Sequence, residues 1–183
     1  MDDKDILVLY NSGEREQAFN ILMRTYSERL YWLIRNIVHT HEDTDDLLQD
    51  TWVKVWNALD TFREDAKLYT WLYRIATNEA LSFLRRQKLK SFVTFVDYDR
   101  ALAAKIDEDT HFDGDKLQME LQKAVATLPP KQKAVFTLRY WEELPYEEIA
   151  EILDSTPGSL KTSYHIAYEK VKALLKKEID FDI

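Results

Sequence analysis

FREDAKLYTWLYRIATNEALSFLRRQKLK, running from Phe62 to Lys90, combines a core-facing pattern with a pattern suited to a ligand. Apolar residues recur at Leu68, Leu72, Ile75, Ala76, Ala80, Phe83 and Leu84, a helical spacing that sends one face into a core. The opposite face reads Trp71, Arg74, Asn78, Ser82, Arg85 and Arg86 at steps of three or four. That row suits nucleic acid. Guanidinium groups hold phosphates, amides and hydroxyls bond base edges, and a ring offers a stacking surface to an unpaired base. Tyr69 and Tyr73 add two rings at the helix start. Taken alone, the stretch also fits a solvated helix whose rings are simply buried.

Around this stretch the composition is that of an all-α protein. Of 183 residues only 3 are Gly and 4 are Pro, too few for the turns of a sandwich or barrel, while 45% are apolar and 13% aromatic. The length allows one domain or two small ones. With no cysteine, structural disulfides and thiolate metal sites are excluded, and an intracellular place is the default. The opening MDDKDILVLYNSGERE is acidic and unlike a signal peptide, and no apolar run approaches a membrane span. A soluble, cytoplasmic protein is expected.

The formal net charge of −8 hides an uneven distribution. From Arg63 to Lys90 seven bases face three acids, and from Ser155 to Lys177 five lysines face Glu169 alone. Acid collects at Glu42 to Asp50, and between Asp97 and Glu120, where eight acids face three bases. Two basic patches separated by acid imply poor unaided affinity for DNA and a need for a carrier.

Residues 14 to 38 carry an apolar helical stripe from Ala18 to Ile37 and read as scaffold. His39 and His41 read as solvent-exposed turn residues rather than metal ligands. In HEDTDDLLQDTWVKVWNALDTF, Thr44 is the expected N-cap, and Leu48, Thr51, Trp52, Val55 and Leu59 the inward face. Asp46, Gln49, Asp50, Val53 and Asn57 then form an outward strip, either solvated or a docking face for a basic partner.

Beyond Lys90 the periodicity breaks down. Residues 91–115 read as an acidic interdomain linker with Phe92, Phe95 and Tyr98 as apolar anchors, ending near Gly114. Leu117, Leu121, Val125 and Leu128 then form a helical face ended by Pro129 and Pro130. PYEEIAEILD and STPGSLKTSYHIAYEKVKALLKK read as a helix-turn-helix with Asp154 in the turn and Ser155 or Thr156 as the cap. Leu160, Tyr164, Ala167, Tyr168, Val171 and Leu174 or Leu175 make the inner face of its second helix. Ser159, Lys161, Thr162, Ser163, His165 and Ile166 are left for the major groove.

The run DTDDLLQDTWVKVWNALDTFREDAKLYTWLYRIATNEALSFLRRQK resembles region two of the extracytoplasmic-function (ECF) sigma factors, the bacterial promoter-specificity subunits. LPPKQKAVFTLRYWEELPYEEIAEIL followed by SLKTSYHIA is similar to region four of the same family. The resemblance implies two small helical domains, a region-two bundle over 1–90 and a region-four helix-turn-helix over 116–183, joined by the linker. It implies binding to core RNA polymerase, through the clamp helices of the largest subunit and the flap of the second-largest, with Asp46, Leu47, Gln49 and Asp50 on the clamp. It assigns the minus-ten element to Phe62, Lys67, Tyr69, Thr70, Trp71, Asn78, Arg85 and Arg86. The minus-thirty-five element falls to Ser159, Lys161, Thr162 and His165, with Ile166 departing from the basic residue common at its position. An anti-sigma factor is a further implied partner. No cofactor, metal or catalytic group is expected, since the chain has no P-loop, G-x-S-x-G, H-E-x-x-H or thiol. The rival readings are a helix-turn-helix regulator that binds duplex DNA without polymerase, and an interaction protein that occupies polymerase without touching DNA.

Overall fold

The structure, a computed structural model, describes residues 2–90, 95–109 and 115–181. Every regular element among them is helical. Helix α1 (Asp3–Asn11) opens on a reciprocal cap in which Asp2 and Asp5 each accept the other's backbone N–H. It buries Ile6 against α2 (Arg15–Val38), which ends at His39 in the left-handed region, φ 69°. Helix α3 (His41–Ala58) follows at once and passes into a single 3₁₀ turn, Leu59–Thr61. Thr40, not Thr44, sits at its N-cap position; Thr44 lies one turn inside and returns its hydroxyl to the Thr40 carbonyl at 2.6 Å. Helix α4 (Leu68–Lys90) completes the N-terminal bundle.

The connector holds a helix that the sequence reading lacked. Helix α5 (Phe95–Asp107) places Leu102 and Ile106 one turn apart, and both are buried with Ala126 beside Met119. Asp109 just beyond it pairs with the buried Arg35 of α2. Phe92 and Gly114 lie outside the described residues, as do the side chains of Phe95 and Tyr98.

Helix α6 (Lys116–Ala126) is followed by α7 (Pro130–Phe136), entered through Pro129 and Pro130 as their fixed φ favours. A π-helical segment, Thr137–Trp141, leads to α8 (Tyr146–Leu153). Asp154 takes the left-handed turn at φ 50°, and α9 (Pro157–Phe181) leaves from Thr156, whose hydroxyl accepts the Ser159 N–H at 3.3 Å. Leu121, Val125, Leu128, Phe136, Ala167 and Val171 form the local core of this C-terminal bundle. Two residues expected there face outward instead: Leu117 is 60% exposed and Tyr168 40%. Leu117 lies in the first turn of α6, where Lys116 and Gln118 are exposed too, and Tyr168 borders the buried stripe set by Leu160, Ala167 and Val171.

The two bundles share one apolar cluster. Val135, Leu138, Leu144, Ile149, Ile152 and Leu160 are buried in the same cluster as Leu30, Leu72, Tyr73 and Ala76. Polar side chains are buried at this joint too. Gln122 Nε2 donates to Asn36 Oδ1 at 2.8 Å, while its Oε1 lies 3.0 Å from His39 Nδ1. An amide oxygen only accepts, so His39 donates from Nδ1 and leaves Nε2 as an acceptor without a partner among the described residues. His39 is thus a buried interdomain group, not the exposed turn residue expected, because α6 closes over the end of α2.

Burial, with Lys133 and Arg35 nearby, pushes His39 well below the usual histidine value of 6.5. The unfolded chain binds this proton before the folded one does. Stability should therefore fall as pH drops below about 6.5, by about 1.4 kcal/mol per pH unit from this group. Urea midpoints at pH 7.5 and pH 5.5 test this: His39→Gln should flatten the slope, and an unchanged slope would contradict it.

Candidate nucleic-acid interface

Helix α4 presents the polar row as an outward stripe. Arg74, Asn78, Arg85 and Arg86 are exposed and Ser82 is half-buried, its hydroxyl accepting from Arg85 at 3.2 Å. Trp71 is half-buried at the end of this stripe, its ring 5.3 Å from that of Phe62 and tilted by 59°. The buried face holds Leu68, Leu72, Tyr73, Ala76, Ala80 and Leu84. Lys54 of α3 pairs with the buried Glu79 and ties α3 to α4 from the side.

Three residues depart from their expected placing. Thr70 is buried, because it shares the helix phase of Tyr73 and Thr77, and its hydroxyl has no partner among the described residues. Tyr73, expected as an available ring, is wholly buried and donates to Glu142 at 2.7 Å. On α3, Leu47 is buried in step with Thr44, Thr51 and Val55, whereas Asp46, Gln49 and Asp50 are exposed beside Val53 at 60%. Leu47 holds the helix down and the three polar residues face solvent. Since Thr70 is buried with a hydroxyl that has no partner among the described residues, Thr70→Val should hold or raise stability by about 1 kcal/mol. A urea midpoint that falls in Thr70→Val would contradict this placement.

The loop before α4 borders a groove of about 580 Å³, walled by Leu7 and Val8 of α1 and by Phe62, Ala66, Lys67 and Tyr69. Lys67 and Tyr69 are not free at its edge. Both bond Glu148 of α8, Lys67 Nζ lying 2.5 Å from Oε1 and the Tyr69 hydroxyl donating to Oε2. Burial pushes the Glu148 carboxyl up, but hydrogen bonds from Lys67 and Tyr69 outweigh it and hold the group below the usual carboxylate range. The Glu148 carboxylate, and after it the Tyr69 hydroxyl, hold the Lys67 ammonium above its usual value. Sequence reading missed α1, Glu142 and Glu148, and no spacing rule could have paired residues some 80 positions apart.

On α9, Ser159, Lys161, Thr162, His165 and Ile166 are exposed along the front of the helix, over an inner face of Leu160, Ala167 and Val171. Thr162 turns its hydroxyl back to the Gly158 carbonyl at 3.2 Å. Among the described residues no helix is long and apolar enough to cross a membrane.

Comparison with known proteins gives these surfaces a family. The family model for Sigma-70 region 2 matches residues 22–90, and that for Sigma-70, region 4 matches residues 118–171. The RNA polymerase sigma-H factor of Pseudomonas aeruginosa is 29% identical over 182 residues, 95% of this chain and 94% of that one. The ECF RNA polymerase sigma-E factor of Escherichia coli is 32% identical over 174 residues, covering 88% and 91%. Among solved structures, CnrH in complex with the cytosolic domain of CnrY superposes with a TM-score of 0.70 at 23% identity, covering 96% of this chain and 97% of that one. The sigma factor RpoE of Bartonella quintana, in complex with the anti-sigma factor NepR, gives 0.66 at 21% identity, covering 86% and 96%. With two sigma regions in order, on an all-helical two-domain fold shared with these proteins, the chain belongs to the ECF sigma factors of RNA polymerase.

Proposed function

We propose that the chain binds core RNA polymerase and directs initiation at its own promoters, with residues 1–90 loading on polymerase and opening the minus-ten element, 91–115 linking, and 116–183 reading minus-thirty-five. Asp46, Gln49 and Asp50 form the acidic face that meets the basic clamp of the largest subunit. The C-terminal domain also meets the flap of the second-largest. Ser159, Lys161, Thr162 and His165 enter the major groove. Phe62, Lys67, Tyr69, Trp71, Asn78, Arg85 and Arg86 capture the separated minus-ten strand. Leu47 and Thr70, buried as they are, drop out of these sets.

The observation that carries this reading is the exposed α4 stripe, with Trp71 and the groove at one end and Arg85 and Arg86 at the other. Unstacking a base step costs a few kcal/mol, and stacking of a captured base on a ring returns roughly 1–3 kcal/mol. Two or three such contacts offset opening without ATP or a catalytic group. An anti-sigma factor fits as a further partner, since the Bartonella quintana sigma factor of this fold is solved with one.

Run-off transcription with purified core polymerase tests the reading, on templates chosen by mapping start sites after overexpression. Lys161→Ala, which removes an exposed cation at the front of α9, should weaken promoter binding about 3- to 10-fold and flatten its salt dependence by one phosphate contact. Tight sequence-specific binding to duplex without polymerase, and no run-off product with it, would favour a conventional helix-turn-helix regulator instead.

A further inference from the structure

A cavity of about 570 Å³ between the end of α2, the head of α3 and the end of α5 belongs to none of the surfaces assigned above. Tyr31, Trp32 and Arg35 line it from α2, Thr40 and His41 from the head of α3, and Lys105 from α5. Arg35 is only 2% exposed and half-used: Nη2 pairs with Asp109, while Nη1 has no partner among the described residues. A guanidinium carries five N–H donors in a rigid fork, and a buried donor left unmatched has lost its hydration for nothing. Lys105, exposed at the rim, makes no ion pair among the described residues, although Glu108 and Asp109 stand three and four positions on. The head of α3 adds a third set of donors. Thr40 gives the backbone no side-chain cap, its hydroxyl going to the Asp43 carboxylate instead, so the first N–H groups of an 18-residue helix stand uncapped beside the cavity. Tyr31 and Trp32 wall it with rings 5.2 Å apart at 89°. The Tyr31 hydroxyl lies 2.6 Å from His41 Nδ1, and His41 Nε2 lies 3.1 Å from Asp45, contacts that hold this wall in place.

An unmatched guanidinium edge, an unpaired ammonium and an uncapped helix N-terminus are donors in want of an acceptor, the set that receives an oxyanion. We infer that this cavity binds a phosphate group, free or carried on a nucleoside. Arg35 Nη1, Lys105 Nζ and the first amides of α3 take the phosphate, Asp109 keeps Nη2, and the Trp32 ring flanks whatever the phosphate carries. The volume lies within the range of small-molecule pockets and leaves room for a planar ring. Glu108 and Asp109 also line the cavity and offset the charge of Lys105 and Arg35. Attraction by net charge is therefore weak, and selection rests on directed hydrogen bonds. None of these residues is among those assigned to DNA or polymerase, so the site stands apart from the minus-ten reading. A molecule seated there ties α5 to α2 and α3 at once.

Isothermal titration calorimetry on the full chain at low ionic strength, with inorganic phosphate, adenosine monophosphate and adenosine as probes, tests this. The two phosphate-bearing probes should saturate at about millimolar concentration or below, and adenosine should give no binding heat. A monophosphate that binds about tenfold more tightly than phosphate identifies a nucleotide as the ligand, and equal affinities identify free phosphate. Lys105→Ala should weaken both about tenfold, the loss of one charge-assisted hydrogen bond, with the thermal midpoint of the unligated chain unchanged. Arg35→Lys should weaken both at least as much, because an ammonium lacks the fork that serves Asp109 and phosphate together. Lys105→Ala carries the test by itself should Arg35→Lys fail to fold. Lys172→Ala removes the same charge from an exposed lysine of α9 outside the cavity, and should stay within about twofold of the unaltered chain. The inference is overturned if neither phosphate-bearing probe saturates, if adenosine binds as well as its monophosphate, or if Lys105→Ala and Lys172→Ala cost the same.

Discussion

Trp71→Ala should lower promoter opening by polymerase carrying this chain by about 5- to 150-fold, the equivalent of roughly 1–3 kcal/mol of lost stacking. The ring is half-buried on Phe62 at the head of the exposed stripe, so it is held in place yet keeps an available face. The acidic strip on α3 is a separate surface, and binding to core polymerase should therefore stay within about twofold. Single-round transcription on linear templates reads the first quantity, and co-migration with core polymerase on gel filtration reads the second. Pre-melting the template across the minus-ten element should restore most of the activity, because the work then needed from the ring has already been done. If the variant fails equally on pre-melted and duplex templates, Trp71 serves the fold rather than the opening.

Ile149→Ala is expected to give the largest loss of stability among the interdomain residues, about 2–5 kcal/mol by urea denaturation. Ile149 is wholly buried on α8, in the cluster that also holds Leu72, Tyr73 and Ala76 of α4. Four of the 5 tryptophans lie in the N-terminal bundle, so their fluorescence reports on a domain that Ile149 does not belong to by sequence. A shared core requires that the tryptophan-detected midpoint move with the far-ultraviolet circular dichroism midpoint. A fluorescence transition that stays put while helicity is lost early would show that the bundles unfold independently.

Local pattern carried the helices well where one face met one core. The stripe of α4, the two prolines that open α7 and the left-handed Asp154 between α8 and α9 follow from spacing and backbone preference alone. Helix phase could also have assigned Leu47 and Thr70 inward, since Thr44, Leu47, Thr51 and Val55 share one side of α3, and Thr70, Tyr73 and Thr77 one side of α4. The resemblance, not the phase, put them on surfaces. Helix α5 escaped notice because its buried anchors, Leu102 and Ile106, make only one turn of stripe inside an acidic segment. His39 looked like a turn residue because it is one by backbone; its burial is imposed by α6, which is distant in sequence. The contacts of Glu148 with Lys67 and Tyr69 have the same character. They depend on how two domains meet, which no local pattern records.

Opening of the minus-ten element by strand capture on α4 is the claim on which the rest stands. Permanganate footprinting of a cognate promoter, with core polymerase and this chain together, tests it most directly. Unpaired thymines should react across the minus-ten region with the unaltered chain and lose most of their reactivity with Trp71→Ala. Full-strength reactivity with Trp71→Ala, or unreactive thymines on a promoter that the unaltered holoenzyme demonstrably occupies, would contradict it.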